Sequence, residues 1–304
     1  MRGLSRKGLF KRVLGGLLLL YFIPFFLIEG AFVHRSRSVE IPEPQHPQGI
    51  AAYVINLDRR ADRWTVIAPQ IMSLGFPWER ISAVDGKLLT EEDINKVVDQ
   101  KAFYALRGCL MKRGEIGCAL SHLKAWETFL RSPYEYALIF EDDALFEPEK
   151  LREIVSILEK TPQDWDIVNL GMDNAHETPL PLRKIHQDSH LVVYLGLVLQ
   201  AGAYLINRKA AKALYAHALP FKFPVDIFFT RGWEFGLKFT GIEPVFVHQA
   251  VTESDIGLPH KPPLPKNFVD LCCCRMNLTV ARTKTNIMRT LYNLKLYWQF
   301  HQSD

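Results

Sequence analysis

Residues 136–143 read YALIFEDD, so that a run of five apolar residues is followed directly by three carboxylates. A short apolar run of this kind is typical of a buried strand. Comparable runs occur at 51–57 and 166–171, and helical periodicity lies between the runs. Strands that alternate with helices predict an α/β domain with a doubly wound, mostly parallel sheet, which binds ligands at the carboxyl ends of its strands.

The acidic triplet at the end of this run is the strongest chemical signal. Adjacent carboxylates raise one another's pKa unless a cation neutralises them. Glu141 and Asp143 are two residues apart and share a face of an extended segment, while Asp142 points elsewhere. Oxygen ligands of this kind suit Mg²⁺, Mn²⁺ or Ca²⁺, and Mg²⁺ also takes substrate phosphates. The spacing indicates a metal-diphosphate site; a solvated acidic turn in which Asp143 caps the next helix is the alternative.

Composition and charge exclude several classes of protein. The chain has 304 residues, 48% apolar and 23% charged, which excludes a disordered, collagen-like or disulfide-stapled protein. Residues 1–12 carry five basic side chains and no acid, and residues 272–304 carry five against Asp304 alone. Residues 13–271 therefore hold 27 basic and 32 acidic side chains. This acidic balance argues against a nucleic acid as partner.

The N-terminal region predicts a membrane anchor. Residues 13–28 contain no charge, and apolar residues continue past Glu29 to Val33. A spanning helix needs about 20 apolar residues, so residues 13–33 are predicted to be a transmembrane signal-anchor, with a cleaved signal peptide as the alternative. The basic segment 1–12 favours a single-pass, type II protein. Such a protein would lie in the Golgi or endoplasmic reticulum of a eukaryote, or in the inner membrane of a bacterium.

The remaining chain predicts one domain between two extensions. Residues 34–49 contain three prolines and predict an extended stalk. The catalytic domain is expected over 50–260, with one helix from 58 to 74 that is kinked or broken at Pro69, and another from 115 to 130. The five cysteines show no spacing with histidine that suggests zinc.

Residues 261–304 are a basic tail with a predicted amphipathic helix. Its apolar stripe contains Ile287, Leu291, Leu294 and Tyr297. A basic amphipathic helix can lie on an anionic membrane. Docking of the same helix against the domain is the alternative.

Seven short motifs follow one another along the chain: YVINLDRR at 53–60, RISAVDG at 80–86, GEIGCALSH at 114–122, LIFEDD at 138–143, GAYLIN at 202–207, PVD at 224–226 and SDI at 254–256. Together they resemble glycosyltransferase family 25, the lipooligosaccharide and procollagen galactosyltransferases. The resemblance covers roughly residues 50–257, and its strength lies in the order of all seven motifs. The membrane segment and the tail lie outside it.

The resemblance implies a single-domain GT-A fold and transfer of a hexose, with galactose expected, from a UDP-sugar donor. Inversion at the anomeric carbon is the family expectation. Glu141 and Asp143 would be ligands of Mn²⁺ or Mg²⁺, with Asp142 as a further ligand or a ribose contact. The acceptor stays open among a glycan, a lipid-linked saccharide and hydroxylysine. A non-catalytic binding or adhesion module that retains the fold is the competing hypothesis.

The remaining nucleotide-sugar contacts that the resemblance implies are Asn56, Leu57, Arg60, Arg63, Asp85, Gly86, Ser121 and His122. Arginine suits phosphate oxygens, although an exposed helix face explains the pair of arginines equally well. Asp85-Gly86 is also the chemistry of a plain turn, and His122 of a core histidine.

An inverting transferase needs a base for the acceptor hydroxyl. Asp226 is the first candidate, because Pro224 precedes it and residues 227–229 are apolar, a setting that raises a carboxyl pKa. Asp255 is the second candidate. The alternative for Asp226 is a helix N-cap.

Overall fold

The structure, a computed structural model, describes residues 41, 44–171, 178–199, 201–250 and 268–302. The predicted anchor, most of the predicted stalk and Asp255 lie outside these residues. The strands, numbered along the chain, are β1 (Ile50–Asn56), β2 (Trp78–Ser82), β3 (Tyr136–Glu141), β4 (Ala144–Leu145), β5 (Ile167–Asn169), β6 (Pro179–His186), β7 (Ser189–Tyr194), β8 (Ala203–Asn207), β9 (Phe239–Glu243) and β10 (His248–Gln249).

The α-helices are α1 (Ala61–Ser73), α2 (Glu91–Val97), α3 (Gln100–Arg107), α4 (Arg113–Arg131), α5 (Pro148–Glu159), α6 (Arg208–His217), α7 (Val225–Phe229), α8 (Gly232–Phe235) and α9 (Phe268–Gln302). Helix α4 confirms the helix predicted from 115 to 130. Helix α1 begins three residues later than predicted and continues through Pro69, where the prediction of a break is wrong. Proline there removes one backbone hydrogen bond without ending the helix.

Eight of these strands form a sheet in the order β2-β1-β3-β8-β5-β9-β7-β6. Strands β7 and β8 run opposite to the other six, so four of the seven neighbouring pairs are antiparallel. The sheet is therefore mixed, and the prediction of a mostly parallel sheet is wrong for its β8 and β6–β7 portions. Apolar runs identify strands without giving their direction. Only Gln187 and Asp188 separate β6 from β7, a connection too short for anything but a hairpin.

Helices cover both faces of the sheet. Successive side chains of a strand point to opposite faces, and β1 shows the result. Val54 belongs to a buried cluster with Ile71 of α1 and Ile154 of α5. Tyr53 faces the other side, where its ring centre lies 6.1 Å from that of Phe129 in α4. This two-sided cover agrees with the doubly wound arrangement and leaves the strand ends accessible.

Helix α9 packs against β6, β7, α3 and α8. Buried Asn293 donates its Nδ2 hydrogen to the Tyr194 carbonyl oxygen at 2.6 Å, and Thr290 Oγ1 donates to that of Leu195 at 3.1 Å. The helix thus docks on the domain, but of the predicted apolar stripe only Tyr297 packs against the core, while Ile287, Leu291 and Leu294 are exposed. Leu291, its most exposed member, has 61% of its surface accessible. Among the described residues, none of the helices combines the length and apolar character needed to cross a bilayer.

Candidate functional site

The carboxyl ends of β1 and β3 meet at one edge of the sheet. The two strands are parallel neighbours, and Ile55 pairs with Glu141. Asn56 and the acidic triplet therefore share that edge, which opens into a cleft. Eight of the predicted site residues line this cleft: Leu57, Arg63, Asp85, Gly86, Ser121, Glu141, Asp142 and Asp143.

Asp142 is held by two partners from the first strand and helix. Its Oδ2 accepts a hydrogen bond from Asn56 Nδ2 at 2.7 Å, and its Oδ1 accepts one from Arg63 Nη1 at 2.8 Å. Asn56 is buried, and its Oδ1 accepts a further hydrogen bond from Arg80 Nε at 2.8 Å. The side chains of Asn56 and Asp142 therefore form their hydrogen bonds within the protein. Their geometry fixes the loop after β3, and Asp142 orients Arg63 at the edge of the cleft.

Glu141 is positioned by a buried chain of hydrogen bonds. Trp126 Nε1 donates to Tyr204 Oη at 2.8 Å, Tyr204 Oη lies 2.9 Å from His122 Nδ1, and His122 Nε2 lies 3.1 Å from Glu141 Oε1. Because a carboxylate can only accept, His122 Nε2–H donates the hydrogen bond to Glu141. Burial acts to raise the pKa of Glu141, but the hydrogen bond and charge of His122 lower it overall. Glu141 therefore faces the cleft as a carboxylate.

Asp143 has a buried oxygen without a hydrogen bond from any described residue, and its other oxygen lies 3.5 Å from Arg63 Nη1. Its Oδ2 accepts from Gln249 Nε2 at 2.9 Å, whereas buried Oδ1 has no hydrogen-bond partner among the described residues. Burial, followed by the charge of Glu141, raises the pKa of Asp143. A buried carboxylate oxygen without a partner carries a desolvation cost that a cation would offset. The donor set of Glu141 and Asp143 therefore fits the predicted divalent cation.

A second group of possible ligands lies beside Glu141. Cys118 Sγ and a ring nitrogen of His122 lie with a Glu141 oxygen within 4.8 Å of one another. A thiol must lose its proton to bind a metal, but burial, aided by the charge of Glu141, raises the pKa of Cys118 well above its ordinary value. The arrangement therefore suits hydrogen bonding to Glu141, with Sγ 3.5 Å from Oε1, better than metal binding.

Opposite the triplet, the cleft is closed by the loop around Asp85. Asp85 Oδ1 caps the 3₁₀ helix Gly86–Leu88 by accepting from the Lys87 amide at 3.0 Å, and Oδ2 accepts from Arg59 Nε at 2.7 Å. The Arg59 hydrogen bond lowers the pKa of Asp85. Ser121 anchors the same loop, because its Oγ accepts from the Val84 amide at 2.8 Å.

Gly86 and Gly117 let this loop approach helix α4. A Cβ on Gly86 would lie 1.8 Å from the Arg113 carbonyl oxygen, and one on Gly117 would lie 2.6 Å from that of Val84. Both contacts are with backbone, which cannot swing aside as a side chain can. A side chain at either position would separate the loop from the helix and widen the cleft.

We expect Gly86→Ala to lower the free energy of unfolding by about 3 kcal/mol, the upper end for overpacked sites. Gly75→Ala is the control, since a Cβ there meets nothing within 4 Å and only the φ of +73° opposes it; its expected cost is about 1 kcal/mol. Urea unfolding of both variants measures the difference. Equal stability of the two would contradict the close approach of the loop to α4.

Besides Asn56, which is buried at the end of β1, three other predicted residues in the described part of the chain do not line the cleft. Arg60 precedes α1 and pairs with Asp62 at 2.8 Å, so it does not share a helix face with Arg63. His122 is buried behind Glu141. Asp226 lies in the first turn of α7, where its Oδ1 accepts from the next backbone amide at 2.7 Å.

Two of the structural alternatives are also wrong, because neither predicted cap is a cap. The N-cap of α7 is Pro224, so Asp226 does not occupy that position. The N-cap of α5 is Glu147, so Asp143 does not cap the helix that follows it.

Four residues of the site were not predicted from the sequence. Arg59 contacts Asp85 and Gln249 contacts Asp143. Cys118 contacts Glu141 directly, and Tyr204 is connected to Glu141 through His122. Cys118 and His122 are four apart on α4, which places them on one helix face, and this spacing was a usable signal. Gln249 lies in the two-residue strand β10, which is too short to show any periodicity.

Known proteins resemble the chain over this same region. A family model described as glycosyltransferase family 25 (LPS biosynthesis protein) matches residues 50–229. "Procollagen galactosyltransferase 1-B" of Xenopus laevis is 31% identical over 218 residues, 66% of this chain and 34% of the relative. "Inactive glycosyltransferase 25 family member 3" of Homo sapiens is 30% identical over 154 residues, 48% of this chain and 26% of the relative. The chain thus spans about a third or less of the length of these curated relatives.

Solved structures give a weaker likeness. S. aureus TarS 1–349 in complex with UDP-GlcNAc has a TM-score of 0.44 at 12% identity, over 83% of this chain and 73% of that one. A glycosyltransferase involved in glycosylation of the major capsid of PBCV-1 has a TM-score of 0.36 at 10% identity, over 67% of this chain and 95% of that one. The family assignment rests on the sequence, since the matched model covers more than half of the chain. The chain belongs to glycosyltransferase family 25.

Proposed function

We propose that the chain is a hexosyltransferase that uses a UDP-sugar, with UDP-galactose as the expected donor and Mn²⁺ or Mg²⁺ as cofactor. The observation that carries the proposal is the pair Glu141 and Asp143 at the end of β3, where the buried Asp143 Oδ1 lacks a partner among the described residues. The galactose expectation rests on relatives named as procollagen galactosyltransferases. The acceptor remains a glycan, a lipid-linked saccharide or hydroxylysine.

In the proposed reaction, the acceptor oxygen bonds to the anomeric carbon while the bond from that carbon to the UDP oxygen breaks. A divalent cation, when bound, stabilises the negative charge of the leaving diphosphate. Glu141 and Asp143 would hold it. Arg59 and Arg63, which also line the cleft, would attract the phosphate oxygens.

The proton of the acceptor hydroxyl would pass to Asp226. This side chain is half-buried, and the residues that follow it in α7 are buried and apolar. Its charge contributes to raising the pKa of Cys118, which lines the cleft. This electrostatic influence on a residue of the cleft supports the choice of Asp226. Asp255 remains the second candidate for the base.

A non-catalytic module with the same fold is the competing function. It is favoured by relatives that carry the word inactive in their names. The intact acidic triplet and the clamped Asp142 favour the enzyme, because a binding module has no need for a cation beside a diphosphate.

Both functions are tested by one experiment on the purified full chain. UDP release and thermal stability are measured with UDP-galactose, UDP-glucose and UDP-N-acetylglucosamine, each with and without Mn²⁺. The enzyme predicts stabilisation by a UDP-sugar that depends on the metal, together with slow UDP release by hydrolysis. A folded protein that binds none of these donors would favour the non-catalytic module.

We also propose that the protein is associated with a lipid bilayer, as the single-pass, type II arrangement predicts, and that α9 contacts its surface. Four apolar side chains of α9 are 41–61% exposed: Ile287, Leu291, Leu294 and Trp298. Residues 272–302 contain no acid and five basic residues. An exposed apolar stripe among basic residues is typical of an interfacial helix.

We expect Trp298 to enter the interface of anionic vesicles that carry the full chain. Brominated lipids quench tryptophan emission on contact, so Trp298→Phe should remove most of the quenchable emission. Trp78→Phe is the matched control, since Trp78 is also exposed, at 41%, but lies on β2. Unchanged quenching in Trp298→Phe would contradict the contact.

A further inference from the structure

A second cavity, of about 560 Å³, lies where α9 meets α3, α7, α8 and the chain after β7. It is separate from the cleft at the acidic triplet, and the two share no lining residue. Its described lining contains four arginines, Arg107, Arg231, Arg282 and Arg289, and no acidic side chain. A concentration of guanidinium groups around a cavity of this size attracts anions.

Arg231 is the best-defined of the four. It is 5% exposed, and its guanidinium carbon lies 4.2 Å from the ring centre of Phe223 and 4.8 Å from that of Trp233. The two rings hold the guanidinium in place. Its Nη2 pairs with Glu234, but Nε and Nη1 are buried and have no hydrogen-bond partner among the described residues.

Arg289 adds a second buried positive charge. It is 3% exposed, lies 5.3 Å from the same Trp233 ring, and donates from Nη1 to Asn286 Oδ1 at 3.0 Å. Two buried guanidinium groups on one ring repel each other. Burial of charge is costly unless charge and hydrogen bonds are matched.

We propose that this cavity binds an oxyanion, that is, a carboxylate, phosphate or sulfate group carried by a small molecule. An oxyanion would accept hydrogen bonds from Arg231 Nε and Nη1, which are buried without a partner among the described residues. Arg107 and Arg282 are more exposed and would guide the anion inward. The proposal is independent of the donor and metal assigned to the other cleft.

The test measures thermal stability of the full chain at constant ionic strength, with chloride exchanged for inorganic phosphate, sulfate, glucose 6-phosphate or glucuronate. Neutral glucose is the control. At about ten times the dissociation constant, a binding anion should raise Tm by about 3 °C. Glucuronate acting alone identifies a carboxylate ligand; phosphate and glucose 6-phosphate together identify a phosphate ligand, and sulfate alone a sulfate ligand.

Variants locate the anion. Arg231→Gln should weaken the apparent affinity at least about ten-fold. If Arg231→Gln does not fold, the double variant Arg107→Gln/Arg282→Gln is measured instead, because those side chains are not buried. It should also weaken the apparent affinity for the anion. Arg59→Gln in the other cleft should leave the stabilisation intact.

Two results would overturn the proposal. The first is a folded wild-type chain that no oxyanion stabilises beyond chloride. The second is anion stabilisation that Arg59→Gln removes and the cavity variants retain, since the anion would then belong to the triplet cleft. Neither result bears on whether a UDP-sugar binds, so failure here is distinguishable from failure of the proposed function.

Discussion

Asp143→Asn is expected to lower UDP release about 10²–10³-fold, the size of effect found when a group that stabilises developing charge is removed. Asparagine keeps the shape of the side chain and its acceptor oxygen toward Gln249, but it removes the charge that would hold a divalent cation. Stabilisation by Mn²⁺ together with a UDP-sugar should disappear with turnover. Asp188→Asn, in the exposed β6–β7 turn, is the matched control.

The same variant should be more stable than the wild type when no metal is present. Burial and the charge of Glu141 raise the pKa of Asp143 in the folded state. The folded protein therefore holds this proton more tightly than the unfolded chain, and it gains stability from Asp143 as the pH falls through that raised pKa. Above that pKa the ionised group is destabilising, and Asp143→Asn removes this cost.

Melting temperatures of Asp143→Asn and the wild type, without metal and over roughly pH 4 to 7, test the argument. The gap should be largest at the neutral end and should close as the pH falls. A variant that is less stable than the wild type at neutral pH would show that the Asp143 charge is compensated within the protein. Full metal-dependent turnover in Asp143→Asn would show that Asp143 is not a ligand of the cation.

The second large effect is expected at Asp226. Loss of a general base costs about 10²–10⁴-fold in turnover, so Asp226→Asn should lower kcat by that factor. Affinity for the UDP-sugar should stay unchanged, because Asp226 does not line the donor cleft. A variant that had merely lost its fold would lose both.

The acceptor-dependent rate and the dissociation constant for UDP, measured on one preparation, separate the two outcomes. Near-normal turnover in a folded Asp226→Asn would exclude it as the base. Asp255→Asn would then be the next variant to measure.

The elements of the fold were predictable from the sequence where they carry a periodic or continuous apolar pattern. The runs at 51–57 and 136–140 are β1 and β3, and the helix predicted from 115 to 130 is α4. Strand direction was not predictable in the same way, because a buried strand has the same composition in either direction. The reversed β8 between β3 and β5 therefore makes the sheet mixed.

The site was predictable to the extent that its residues follow a strand directly. The acidic triplet does so, but the partners that distinguish its members come from far along the chain. Asp142 is tied to Asn56, 86 residues earlier, and Asp143 to Gln249, 106 residues later. These contacts give the three adjacent carboxylates different roles. The local sequence around the triplet does not indicate which role each carboxylate has.

The α9 stripe shows a similar limit. Periodicity correctly indicated a helix, but the apolar residues that define its stripe include several that are exposed, while Arg289 and Asn293 are buried. The buried face is polar because it meets backbone carbonyl groups such as that of Tyr194. The apolar stripe of α9 therefore does not coincide with the face of the helix that is buried.

The position of β9 shows that the stretch of chain that resembles the family is shorter than the stretch needed to complete the sheet. The family match ends at residue 229, yet β9 at Phe239–Glu243 lies inside the sheet, between β5 and β7. A fragment that stopped at the end of the match would leave the β6–β7 hairpin without the strand that joins it to the rest of the sheet. It would also lack α9, which covers that hairpin. The family match therefore covers seven of the eight strands of the sheet, while the complete sheet also needs the chain beyond residue 229.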